Sequence, residues 1–212
     1  MKPTNQQVGR WKLPIVPLAV ACLVAAGAML IRPRAIRIAR SPTNDEALVA
    51  SIAPTLAAGD WVVLTKSSEP QFGDLVFCPD PAVPRRALIG RVFGSKNDVV
   101  AVEGANVIVN HQVTNIVDDC GKFAIVAPDT KQRVAQNCVV ERLDQLEHPR
   151  GESESSHGDY ARPMTVLPNR IYLVSDNRDF PLDSRSFGAL LREDCPERIV
   201  ARLWPWRHPF SL

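Results

Sequence analysis

The chain has 212 residues, 45% hydrophobic and 23% charged, with 18 prolines and 11 glycines. That is too apolar for intrinsic disorder and lacks the glycine period of collagen, and it suits one domain of moderate size with an appendage. The net charge of +2 divides unevenly: residues 1–44 carry seven basic and no acidic side chains, and the rest holds 18 basic against 23 acidic. A basic head on a mildly acidic body is not the footprint of a nucleic-acid-binding domain, so no nucleic-acid partner is expected.

Residues 1–12 form a basic tail. Leu13–Ile31 is an uninterrupted apolar run. As a helix it would be about 28 Å long, enough for a single membrane span in contact with lipid. A cleaved signal peptide fits less well, because its apolar part is shorter and arginines follow here where a small-residue cleavage site belongs. Residues 32–48 read as a linker, and 49–212 as the folded domain.

That domain reads as short, valine-rich strands separated by turns: Trp61–Lys66, Asp74–Cys78, Ala87–Phe93, Asp98–Glu103, Asn106–Asn110, Lys122–Ala127, Ile171–Ser175 and Arg198–Trp204. The expected fold is therefore mainly β, of short antiparallel strands. The polar stretch at about 141–163 has no periodicity and is expected to be an exposed, mobile loop, with His148 and His157 solvated. Cys78, Cys120, Cys138 and Cys195 show no CxxC pair and no histidine at metal spacing. They read as free or buried thiols, with a Cys120–Cys138 bridge as the alternative, and no metal site is expected.

Three blocks resemble the type I signal peptidases and their mitochondrial relatives, the inner membrane peptidases. The first is Ser51-Ile52-Ala53-Pro54-Thr55-Leu56 with Gly59-Asp60-Trp61-Val62-Val63. The second is Gly73-Asp74-Leu75-Val76 with Leu88-Ile89-Gly90-Arg91-Val92-Phe93-Gly94. The third is Ser175-Asp176-Asn177-Arg178 with Asp183-Ser184-Arg185-Ser186-Phe187-Gly188. The resemblance implies a signal-peptidase-like β fold behind one N-terminal anchor. It also implies a serine endopeptidase that uses a Ser–Lys dyad, with no cofactor, to remove presequences.

Carried over position by position, the resemblance makes Ser51 the nucleophile and Pro54 the residue that fixes the backbone after it. Asp176, Asn177, Arg178, Asp183, Arg185 and Gly188 become the scaffold beside the site. The base position, however, holds Gly90. A lysine can serve as a base only when its surroundings pull its pKa down toward neutrality, and a glycine offers nothing to titrate. Strand alternation puts Arg91 on the other face from Gly90, pointing away from the site, and a guanidinium stays protonated in any case. Pro181 stands where the family has the serine that orients the lysine, and Val49 stands near the oxyanion side. These departures leave two alternatives: an active endopeptidase, or an inactive subunit of the same fold that binds an active peptidase partner or another membrane complex. The resemblance places the chain in the mitochondrial inner membrane with the domain toward the intermembrane space.

Overall fold

A computed structural model describes residues 36–83, 85–153 and 161–204. The basic tail 1–12, the apolar run 13–31 and His157 lie outside the described residues. Among those described, no helix is long and apolar enough to cross a membrane.

The elements are β1 (Ile36–Arg40), α1 (Glu46–Ile52), β2 (Trp61–Lys66), β3 (Leu75–Pro79), β4 (Ala87–Gly94), β5 (Val99–Glu103), β6 (Asn106–Val109), β7 (Gln112–Val113), β8 (Asn115–Val126), β9 (Arg133–Leu143), β10 (Leu146–Glu152), β11 (Ala161–Thr165) and β12 (Arg170–Val174). They end with α2 (Ser184–Phe187), β13 (Leu190–Leu191) and β14 (Glu197–Trp204). The fold is mainly β. A seven-stranded sheet has the order β1-β2-β14-β3-β4-β12-β13, a four-stranded sheet the order β11-β5-β6-β7 and a three-stranded sheet the order β10-β9-β8. Each ladder within these sheets is antiparallel.

Alternation along the strands divides the large sheet into two faces. On one, Val62, Leu64, Leu75, Ile89 and Ile199 pack with Leu48, Ile52 and Leu56 of the α1 region. On the other, Val76, Cys78, Leu88, Val92 and Leu173 pack with Leu190 and Cys195. A third cluster, including Phe93, Val100, Val102, Val109, Val166 and Tyr172, joins the large sheet to the four-stranded one.

Three expectations from the sequence fail. The stretch 32–48 is not a plain linker, because it contains β1 and the start of α1. The helix had its signals: Asp45 caps it by accepting from the Leu48 N–H, and Glu46 complements the helix dipole in the first turn. The described residues of the stretch 141–163 are not a loop either. Its first part completes β9 and makes β10, and Ala161–Thr165 is β11. His148 is only 2% exposed. A run of charges reads as solvated in one dimension, but here the partners come from other strands. Lastly, all four body cysteines are bonded, Cys78 to Cys195 and Cys120 to Cys138. Neither bridge has a spacing motif in the sequence.

Candidate functional site

Ser51 sits near the end of α1, where alternating contacts hold it on two sides. Leu48 and Ile52 face the sheet, and Ala50 and Ala53 pack on Ile125 of β8 and Phe123. Asn177 fixes the end of the helix by donating its backbone N–H to the Ser51 carbonyl at 3.0 Å. The Ala53–Pro54 peptide is cis. Thus the first and third blocks meet in space. Ser51 itself is 0% exposed, and its hydroxyl donates to the Leu48 carbonyl at 2.9 Å.

The lysines at 66, 96, 122 and 131, which are those of the described residues, are all exposed, so none stands against the buried hydroxyl. A Cβ on Gly90 would lie 3.1 Å from the Leu173 Cβ, on the face opposite Ile89 and α1. Gly90 therefore accommodates β12, on the face of β4 away from α1. Pro181, half-buried, supplies no hydroxyl; the nearby turn is held by Ser175, whose Oγ accepts from Leu182 N–H at 3.0 Å.

Arg91 does not point away from the site. It reaches the α1 side, where its guanidinium grips the Asp176 carboxylate with bonds of 2.9 and 2.8 Å. A third bond runs to the Gly73 carbonyl at 2.9 Å, and Thr55 donates to the same carboxylate at 2.5 Å. Such a charge-assisted fork fixes geometry as well as charge.

Asp176 is one end of a larger buried network. His148 lies with Nδ1 3.4 Å from Asp176 Oδ1 and Nε2 3.1 Å from Glu141 Oε1. The latter contact is off the line that a hydrogen bond needs. Glu141 also meets Arg150 at 3.0 Å and Arg178, whose Nε donates to the Ala105 carbonyl at 3.0 Å. Burial alone would push the Glu141 carboxyl up, but Arg178, His148 and Arg150 outweigh it and hold the group well below the usual carboxylate range. Asp176 is likewise lowered, with Arg91 as the main force opposing burial. For Arg178 the balance runs the other way: burial, with Arg150 and Arg185, outweighs Glu141 and lowers its pKa.

Asp183 and Arg185 form a separate buried unit. Asp183 accepts from the Ser175 N–H at 2.7 Å and from the Arg185 N–H at 3.0 Å, and it takes the Arg185 guanidinium at 2.7 Å through Nη2. Arg185 Nη1 donates onward to the Arg178 carbonyl at 3.1 Å. Gly188 ends α2 with a φ of +78°, a conformation that glycine adopts without steric cost.

Sequence reasoning missed Glu141, His148 and Arg150. A faint signal existed: His148, Arg150 and Glu152 alternate with period two, as side chains on one strand face do. Gly151 between them stitches β10 to the third block, accepting from Arg178 N–H and donating to the Asp176 carbonyl, both at 2.9 Å. A Cβ there would meet Phe123 at 2.7 Å and the Ala53 carbonyl at 3.2 Å, so the close approach demands glycine.

Beside α1 runs a groove of about 670 Å³, whose lining does not include Ser51. Val49, Ala53 and Leu56 line one side, and Phe123, Ile125 and the Cys120–Cys138 bridge line the other. Among the described residues no cluster of side chains could hold a metal ion.

The domain is mainly β, with a buried serine near the end of α1, an Arg91–Asp176 fork and an Asp183–Arg185 unit beside it. The model of the signal peptidase family, peptidase S26, matches residues 15–204, and the chain belongs to that family. No curated protein matches its sequence.

Proposed function

We propose that this chain is a membrane-anchored signal-peptidase-like subunit that has lost its own catalysis. It would act beside an active peptidase subunit or another membrane protein that handles presequence-bearing polypeptides. The observation that carries this reading is Ser51: fully buried, its hydroxyl given to the Leu48 carbonyl, with the lysines of the described residues all exposed. An alcohol without a base stays protonated at neutral pH, and general-base help is worth ~10²–10⁴ in rate. The retained Arg91–Asp176 and Asp183–Arg185 pairs support a fold kept for binding.

For location, we propose the mitochondrial inner membrane, anchored through Leu13–Ile31, with the domain toward the intermembrane space. Two disulfides favour an oxidising compartment on the domain's side of the membrane. Protease protection in sealed organelles tests the orientation, and cleavage of the domain only after the inner membrane is opened would refute it.

The test of function uses the purified full chain with a presequence peptide and a serine-directed phosphonate. We expect no cleavage and no labelling at Ser51. Cleavage that disappears in Ser51→Ala would overturn the inactive reading and restore the endopeptidase.

A further inference from the structure

The two disulfides differ in where they sit. Cys78 and Cys195 are both fully buried beneath the large sheet. Cys120 is half-buried, Cys138 is 6% exposed, and both line the groove beside α1. An attacking thiolate must reach a sulfur to exchange with it, and the groove gives that approach to one bridge alone.

The Cys120–Cys138 bridge also lies where the strand ladder is weakest. The β8–β9 register breaks between Ile116 and Asp118 and again between Asp119 and Gly121. Cys120 is the residue left over at the second break: Asp119 stands opposite Val139 and Gly121 opposite Cys138. At a bulge the ladder hydrogen bonds are locally lost. The covalent bond holds β8 to β9 at this point. Among the described residues, β8 is an outer strand of its sheet, paired there with β9. Just beyond the bridge, Phe123 and Ile125 pack on Ala50 and Ala53, on either side of Ser51.

We propose that the Cys120–Cys138 bridge is a redox-responsive latch on the wall of this groove, opened by a dithiol reductant while Cys78–Cys195 stays closed. The dithiol thiolate attacks the Cys120 sulfur and expels Cys138 as a thiolate. The second thiol of the reductant then attacks the mixed disulfide, releasing Cys120 and leaving the reductant as a disulfide. Two electrons pass from the dithiol to the bridge, and its two thiol protons end on Cys120 and Cys138. The opened bridge frees β8 from β9 at the bulge and loosens the support that Phe123 and Ile125 give to α1. The latch does not depend on whether Ser51 reacts.

The test uses the full chain in detergent micelles. It is titrated with dithiothreitol under native conditions, alkylated and mapped by mass spectrometry, with hydrogen exchange followed in parallel. Cys120 and Cys138 should be alkylated at reductant concentrations that leave Cys78 and Cys195 bonded. On opening, exchange at Lys122–Val126 should rise by up to about 100-fold, the scale set by the loop-closure entropy of an 18-residue separation. The double variant Cys120→Ser with Cys138→Ser should show the same exchange without reductant. Opening of Cys78–Cys195 at the same concentration would overturn the proposal. So would unchanged exchange at Lys122–Val126 once Cys120 and Cys138 are alkylated, a result read on the wild-type chain whether or not the variant folds.

Discussion

Replacing Asp183 by alanine tests the scaffold most directly. A half-buried pair would cost roughly 1–3 kcal/mol to break. Here both side chains are buried, at 0% and 2% exposure. The substitution removes both carboxylate oxygens from the Arg185 guanidinium, leaving it the Arg178 carbonyl at 3.1 Å. It also strips the Ser175 and Arg185 backbone N–H groups of their acceptor. Truncating one partner of a buried pair costs about 3–5 kcal/mol, because the other charge is left uncompensated. With a urea dependence of about 2 kcal/mol per molar, the unfolding midpoint should fall by about 1.5–2.5 M. Urea unfolding of the full chain in detergent, followed by tryptophan fluorescence, measures it. Asp183→Ala combined with Arg185→Met should recover part of the loss, since the orphaned charge goes too. A midpoint within about 0.5 M of the parent would refute the reasoning, because it lies well below that expected shift.

Gly90→Lys combined with Pro181→Ser should not arm Ser51: the new side chain starts against Leu173 on the far face of β4 from α1, so overpacking should cost about 1–3 kcal/mol and phosphonate labelling should stay absent. Labelling of Ser51 in that variant would show that β4 presents position 90 to the serine. Glu141, Asp176 and Asp183 all have folded pKa values below their ordinary ones. Their stabilisation is therefore complete above the unfolded carboxylate value near ~4 and is lost as pH falls through the lower folded values. Asp183→Asn should flatten the acid limb of stability against pH by up to about 1.4 kcal/mol per pH unit, one proton's worth; an unchanged slope would count against a depressed Asp183. At the alkaline end, burial first and the Asp183 charge second push the Tyr172 hydroxyl up to about 12. That contribution is full below the unfolded value near ~10 and fades as pH rises through the folded one, so Tyr172→Phe should remove the highest-pH step of a phenolate absorbance titration.

The strands of the large sheet were legible because their chemistry is local. Trp61–Lys66 was read with its true bounds, and Ala87–Phe93 misses the end of β4 by one residue. Alternating apolar residues between glycine turns carry that information along the chain. What the sequence hid depends on partners far away. Glu141 and His148 look like loop residues until β9 and β10 pair them and bring them to Asp176 and Arg178. Arg91 and Gly90 were placed on opposite faces correctly by alternation, but which face meets α1 is a property of packing that no strand states about itself. Ser51 and the third block were paired by motif, and the structure adds the Asn177–Ser51 hydrogen bond that joins them.

The order of the large sheet bears on how the chain is made. β14 lies between β2 and β3, pairing with both, although about 120 residues separate it from β3 in the chain. A ribosome releasing the chain N-terminus first must hold β2 and β3 apart, each with a bare edge, until residues 197–204 emerge. Unpaired edges are templates for association with other chains, and closing so distant a pairing is slow. Premature termination before Glu197 should thus yield aggregates and not a smaller domain. Soluble expression of a fragment ending near Asp194 would show that the two halves of the sheet can close without their central strand.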